Sequence, residues 1–482
     1  MTESAIGTSD ESFHLETRFL EEWDRDLVSM DPLSFPGYEP PVAESVRCGT
    51  VSGAAGDYVL IDCDFSRQGG TMGVVAGERI VRAFHRATDR GLSVAYRVSS
   101  GGARLQEGMF SLVQMARTSS ALVEHRRAGL MTAAALRNPT TGGVYASWAS
   151  GADVRIATPG AVIGFGGPRV VEQVTGFRPP ATSHTAESAY TNGLVDDLVP
   201  EEDQQLRLEA ILGVAPAPRL RLPSRRTLRA ESMKSGSLDA RARIDVVRSR
   251  ARASGLDWAA RSTDSWIDLH GTDPSIRAGI ATIDGERVVV VAMDRFHRGD
   301  GTGLPGPGAF RLARRAIALA DRLRLPLVTF VDTPGADPSP TAEAGGIAHE
   351  IGHTLTAMAA LSSVSVCVVV GEGGSGGAMA LAHSDHVGML AHSLFWVIGP
   401  EAGAAVLYRD PTKTTELARS FEPTAAELVA SGFADCRIQE TSADVRRYIV
   451  ESIRRGDAGN RNARLDSMTV GALTIVDATV ST

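Results

Sequence analysis

At 482 residues the chain is longer than one ordinary core needs, and its length suits two or three domains. With 43% hydrophobic and 22% charged residues it has a globular composition, which argues against disorder, and a formal net charge of −8 argues against a broad nucleic-acid or anionic-membrane surface. Lys234 and Lys413 are the only lysines, so contacts to phosphate groups must come from arginines or backbone amides.

The N-terminal stretch MTESAIGTSDESF is polar and acidic, and no apolar run approaches the 18 or so residues of a membrane span. Cys48, Cys63, Cys367 and Cys436 stand apart without a C-x-x-C pair, which suits neither a disulfide framework nor a cysteine-rich zinc site. A soluble cytoplasmic protein is expected. Residues 1–45 read as a helical lead-in ending at DPLSFPGYEPP. Beyond it, β-rich runs alternate with helical patterns, which predicts an α/β fold. Strands are expected at Tyr58–Cys63, Leu92–Val98 and Leu130–Leu136, then at Gly279–Ile283, Arg287–Met293, Pro326–Val331 and Val364–Val370. Between these groups residues 215–240, rich in Pro, Arg and Ser, read as a linker separating domains at 46–214 and 241–482.

The two halves share a layout. Leu92–Val98 runs into Gly101-Gly102-Ala103, and Leu130–Leu136 runs on to Gly142-Gly143; Pro326–Val331 runs into Pro334-Gly335-Ala336, and Val364–Val370 into Gly376-Gly377-Ala378. Gly143 follows Gly102 by 41 residues and Gly376 follows Gly335 by 41 residues, while Val162-Ile163-Gly164 is matched to Val397-Ile398-Gly399. Two copies of one fold account for this. A strand that ends at Gly-Gly and turns into a helix exposes backbone N–H groups, and two such turns on neighbouring strands can aim two donors at one oxygen. That arrangement is an oxyanion hole, in which one donor is worth about 2.7–4 kcal/mol in the transition state. Any single turn could instead serve only tight strand-to-helix packing. Four turns in two matching pairs favour the chemical role.

The segments SSGGARLQEGMFSLVQMARTS and NPTTGGVYASWASGADVRIATPGAVIGFGGPRVVEQ, with DPLSFPGY and GGTMGVVAGERIVRAFHRA upstream, resemble the β subunit of bacterial acetyl-CoA carboxylase carboxyltransferase over about residues 30–200. LHG at 269–271, GLPGPGAFRLARRAIALADRLRLPLVTFVDTPGADP and GEGGSGGAMALAHSDHVGMLAHSLFWVIGPEAGAAVL resemble the α subunit over about residues 240–440. The resemblance implies two tandem crotonase-like domains, β-type then α-type, in a biotin-dependent acyl-CoA carboxyltransferase. In that family carboxybiotin is thought to release CO2, the biotin enolate takes the acyl-CoA α-proton, and the thioester enolate captures CO2. By resemblance Gly102, Ala103, Gly142 and Gly143 would hold the acyl-CoA thioester oxygen, and Gly335, Ala336, Gly376, Gly377 and Ala378 the biotin ureido oxygen. Acetyl-CoA to malonyl-CoA, for fatty-acid or specialised products, is the expected conversion. The implied partners are a biotin carboxyl carrier protein, a biotin carboxylase and a second copy of the chain. A biotin-independent decarboxylase of a malonyl-type thioester is the alternative.

Departures and rival motifs stand beside that resemblance. The four-cysteine zinc module of the β subunits is missing, so no zinc is expected; LHGDR is replaced by His270-Gly271-Thr272-Asp273, and a lysine-bearing segment by MDRFHRGDG. His349-Glu350-Ile351-Gly352-His353 with Glu372 matches a zinc-protease pattern, but Glu372 follows a strand, whereas the third ligand normally sits on a helix. Gly371 to Gly376 matches G-x-G-x-x-G, yet no acidic ribose partner stands about 20 residues on. Met233-Lys234 lies in linker sequence without a compact biotinyl domain, and Arg104 and Glu107 read equally as substrate contacts or as an ion pair.

Overall fold

The computed structural model describes residues 19–222, 240–298, 303–421 and 423–473. The first half holds strands β1 (Glu21–Trp23), β2 (Val46–Gly53), β3 (Gly56–Cys63), β4 (Val94–Ser100), β5 (Thr132–Thr141), β6 (Val154–Ala157), β7 (Ile163–Gly164) and β8 (Asp197–Leu198). The second holds β9 (Ser265–Leu269), β10 (Ile276–Ile283), β11 (Glu286–Met293), β12 (Leu327–Thr333), β13 (Ser365–Gly374), β14 (His386–Leu390), β15 (Leu394–Trp396) and β16 (Cys436–Ile438). In the first sheet the order is β1-β2-β3-β4-β5-β6-β8, with β7 beside β5; in the second it is β9-β10-β11-β12-β13-β14-β16, with β15 beside β13. Each strand of the first sheet therefore has a counterpart eight strands later, antiparallel at one edge and parallel elsewhere. This is the duplicated α/β architecture that the sequence repeat predicts.

The expected strands form, most extending a few residues further. β4, β5 and β12 are buried nearly throughout, as parallel strands covered on both faces must be. The helical lead-in does not appear in residues 19–45, where β1 adds a short edge strand to β2 and turns follow. Four prolines at 32, 36, 40 and 41 remove amide donors and break any helical run there. Of the linker segment, residues 223–239, including Met233-Lys234, lie outside the described residues. Ala55 donates to the Val214 carbonyl and Trp266 to the Pro218 carbonyl, so the chain passes from the first sheet to the edge of the second within a few residues.

One apolar cluster runs through both halves, joining Leu60, Ala133, Leu208 and Ile211 to Leu269, Ile280, Val289, Leu312 and Ala316. Polar clamps reinforce it. Asp196, fully buried, accepts from Arg315 Nη1 and Nη2 at 2.6 and 2.9 Å and from the His270 amide at 2.9 Å, and His270 stacks on Tyr190 at 3.9 Å. Burial works against the Asp196 charge but Arg315 outweighs it, holding the carboxyl below its ordinary value. The LHG segment thus lies where the halves meet. No helix among the described residues is long and apolar enough to cross a membrane, and all four cysteines are free thiols.

Candidate active site

The strand ends bring the predicted glycine turns together in pairs. β4 and β5 slip register between Val98 and Ser100, and β12 and β13 slip between Val331 and Thr333, so each pair of strands carries an irregularity near its C-terminal end and pairs again beyond it. In the first half Gly102 adopts φ +109° and Gly142 φ +62°, conformations that favour glycine, and a Cβ on Gly142 would lie 2.9 Å from Gly102 Cα. A Cβ on Gly143 would lie 3.6 Å from Ala103 Cβ. In the second half a Cβ on Gly377 would lie 2.9 Å from the Ala336 nitrogen. Two narrow backbone cradles result, each from one turn per strand.

Hydrogen bonding sorts the donors within each cradle. The Gly102 amide donates to Ser100 Oγ at 3.0 Å, and the Gly142 amide to the Phe165 carbonyl at 2.9 Å. The Gly335 amide likewise donates to Thr333 Oγ1 at 3.2 Å. The Ala103 and Ala336 amides meet no protein acceptor among the described residues, because their neighbours Arg104 and Asp337 make the bonds to Met72 and Pro305. Gly143 and Gly376 are second residues of the Gly142–Val144 and Ser375–Ala382 helices, where an N–H has no intrahelical acceptor. The available donors are therefore Ala103 with Gly143, and Ala336 with the Gly376 and Gly377 turn. Gly102, Gly142 and Gly335 shape the turns, and Ala378 is fully buried in the Ser375–Ala382 helix of the second half. Ser375 opens its helix at φ +57°, where the first half has Gly142.

The match of Val162-Ile163-Gly164 to Val397-Ile398-Gly399 is offset. Ile163 and Gly164 pair with Thr140 and Thr141, whereas the corresponding partners of Gly373 and Gly374 are Phe395 and Trp396. Gly399 instead corresponds to Gly167, since each precedes a helix that opens with proline.

Behind the first cradle, Arg104 is 1% exposed and bonds to Glu44 at 3.0 Å and Glu107 at 3.2 Å. Glu107 also accepts from Tyr38 at 2.7 Å and from the Val74 amide at 2.6 Å, capping the Val74–Asp89 helix, which has no side-chain N-cap. Arg104 and Glu107 are thus a buried ion pair that braces the turn. Behind the second cradle Asp332 and Glu372, both buried, meet Arg295 and Arg248; burial pushes the Asp332 carboxyl up to about 6, opposed by Arg295. These groups were not singled out from sequence, where only Glu372 drew notice, as a zinc ligand. Their signal was a charged residue one or four places before a glycine turn in runs that must be buried. His349 and His353 lie on the exposed side of the Ile347–Ala360 helix, Glu350 is taken by Arg311 and Arg314, and Glu372 is taken by Arg248. A cleft of about 600 Å3 opens beside the second cradle, with Thr272, Asp273, His297, Arg298 and Asp337 on its walls.

Two crotonase-like domains in tandem, each with a cradle of backbone amides at its strand ends, define the architecture. Residues 221–457 match the family model for acetyl co-enzyme A carboxylase carboxyltransferase-like proteins. The chain is 34% identical over 455 residues to the acetyl-coenzyme A carboxylase carboxyl transferase subunits beta/alpha of Saccharopolyspora erythraea, covering 90% of this chain and 80% of that one. It is 35% identical to a probable biotin-dependent acyl-coenzyme A carboxylase beta3 subunit of Mycobacterium tuberculosis, covering 82% of this chain and 80% of that one. Among solved structures, a transcarboxylase 12S hexamer with methylmalonyl-coenzyme A bound superposes with a TM-score of 0.72 at 21% identity, over 92% of this chain and 85% of that one. The chain belongs to the biotin-dependent acyl-CoA carboxyltransferases, as a β-type and an α-type half in one polypeptide.

Proposed function

We propose that the chain moves a carboxyl group from N-carboxybiotin, borne on a separate carrier protein, to the α carbon of acetyl-CoA, giving malonyl-CoA. The observation that carries this reading is the pair of matched cradles, one per half, each with an amide that meets no protein acceptor among the described residues. The names of the beta/alpha relatives support acetyl-CoA as the carboxyl acceptor. Residues 46–214 would form the acyl-CoA domain and 241–482 the biotin domain, joined by 215–240.

Moving the α-proton of a thioester places negative charge on the thioester oxygen. The Ala103 and Gly143 amides would receive it, in a cradle that Arg104 and Glu107 hold rigid from behind. The second cradle fits a ureido oxygen, since it is lined by backbone donors and is too tight for a Cβ at Gly377. Biotin, when bound, supplies the CO2 equivalent and the base. The Ala336 and Gly376 amides would stabilise its oxygen as the carboxyl group leaves. At least a homodimer is expected: Phe165, Val174 and Phe177 beside the Pro168–Thr175 helix, and Val397, Val406 and Leu407 beside the corresponding Pro400–Leu407 helix, are exposed apolar groups that a second copy would cover. The protein would work in the cytoplasm beside a biotin carboxylase.

The test is the reverse reaction: purified protein with malonyl-CoA, with and without biocytin, following acetyl-CoA release. Release that requires biocytin supports carboxyl transfer to acetyl-CoA. Equally fast release without biocytin would replace this reading with decarboxylation, and release from methylmalonyl-CoA alone would change the acyl group.

A further inference from the structure

The two cradles are built alike at the backbone but are braced differently. Asp332 directly precedes the Thr333–Ala336 turn, and Glu372 stands four residues before Gly376; both carboxylates are buried, at 2% and 0% exposure. By strand register their first-half counterparts are Ser99 and Pro139, which carry no charge. Ser99 simply donates to the Asn138 carbonyl at 2.9 Å. The charges are thus an addition to the second half alone.

Their partners come from elements on either side. Arg248, at the end of the Ala240–Val247 helix, donates from Nε and Nη2 to Glu372 at 2.9 and 2.7 Å, and from Nη1 to Glu401 at 2.8 Å. Its guanidinium lies 5.9 Å from the Trp396 ring in β15. Arg295, just past β11, reaches Asp332 at 3.3 Å, Glu372 at 3.7 Å and the Val247 carbonyl at 3.3 Å. Asp332 also accepts from the Glu372 amide at 3.2 Å, which ties β12 to β13 where their register slips. The ends of three central strands and one flanking helix therefore meet in one network immediately behind Ala336 and Gly376.

Buried charges are costly to keep, and removing one partner of such a pair is strongly destabilising. In some proteins buried charge pairs fix one arrangement among several, and an oxyanion site needs its donors held to about 0.5 Å. We propose that Arg248 and Arg295 are positioning residues for the second cradle: by clamping Glu372 and Asp332 they set the separation of the Ala336 and Gly376 donors and so govern the biotin half-reaction. This rests on reading the second cradle as the biotin side. The planar fork of Arg248 meets Glu372 through two N–H groups and Glu401 through a third, a fixed bidentate geometry that the single ammonium nitrogen of lysine does not reproduce.

The full-length protein and its Arg248→Met and Arg248→Lys variants test it by two measurements. In the malonyl-CoA and biocytin reaction, Arg248→Met should lower kcat/KM for biocytin about 10²-fold with KM for malonyl-CoA unchanged, and Arg248→Lys should recover part of the loss. By hydrogen exchange, peptides over residues 333–338 and 372–380 should exchange about tenfold faster in Arg248→Met, while peptides over 100–104 and 140–145 keep the wild-type rate. A KM for malonyl-CoA raised as far as kcat/KM for biocytin falls, or unchanged exchange in both second-half peptides, would overturn the proposal. Wild-type protein without biocytin-dependent turnover would sink the biotin reading, and exchange would still decide the positioning role.

Discussion

Replacing Gly377 by alanine puts a methyl carbon 2.9 Å from the Ala336 nitrogen and 3.2 Å from Ala336 Cβ, where ordinary contact begins near 3.4 Å. The obstacle is backbone, so the two turns must part by about 0.5 Å, the tolerance within which a catalytic donor has to be held. Losing one oxyanion donor typically lowers kcat about 10²–10³-fold. Gly376 supplies the control: a Cβ there meets only Ile351 Cγ2 at 3.8 Å, an ordinary contact, and alanine keeps the amide. Gly377→Ala should therefore lower biocytin-dependent malonyl-CoA turnover about 100-fold, and Gly376→Ala less than about threefold. Gly376→Ala should melt as the wild type does, and Gly377→Ala should still fold while losing about 1–3 kcal/mol to overpacking. Turnover of Gly377→Ala within threefold of wild type, or equal damage in the two variants, would refute the cradle as the site of charge stabilisation.

On the other side, Gly142→Ala combines a backbone at φ +62° with a Cβ 2.9 Å from Gly102 Cα, and should remove malonyl-CoA turnover with or without biocytin; kcat above about a tenth of wild type would exclude the role given to this turn. Arg104→Met leaves Glu44 and Glu107 buried without their cation, and urea unfolding should record a loss of about 3–5 kcal/mol; less than about 1 kcal/mol would contradict the bracing role. His125 is buried, and burial lowers its pKa from 6.5 to about 4. The unfolded chain then binds the extra proton across that window, so stability falls as pH drops from about 6.5 to 4, by up to about 3 kcal/mol. Asp332, raised to about 6, works with the opposite sign, so urea unfolding of wild type and His125→Gln at pH 5 and 7 isolates the histidine; parallel pH dependence in both would refute it.

The duplication and the strands were legible because parallel strands covered on both faces are continuous apolar runs, and because the glycines that end them recur at one spacing. Pairing of Gly102 with Gly142, and of Ala336 with Gly377, followed from that spacing once the strands were neighbours. What misled was local likeness. Val397-Ile398-Gly399 repeats the letters of Val162-Ile163-Gly164 but lies three residues past the equivalent pairing, since register is set by hydrogen bonds between strands. The helix expected over the lead-in gives way to a short edge strand in residues 19–45, because the pattern of such a strand beside a proline-rich segment is weak.

Which amide in each turn is available depended on partners far away or two residues back: Ser100, Thr333, Met72, Pro305 and Phe165 take up neighbouring donors, and only folding brings the distant ones near. Behind the second cradle Arg295 and Asp332 stand 37 positions apart and Arg248 and Glu372 124 apart, and arginine and acidic residues at such separations look like any surface charge until the chain has buried them. Periodicity and glycine spacing, which are local properties, were enough to determine the architecture and the placing of the turns. The choice of donor and the bracing of each cradle were decided by tertiary structure alone, because they depend on which groups burial leaves without water and within reach of one another.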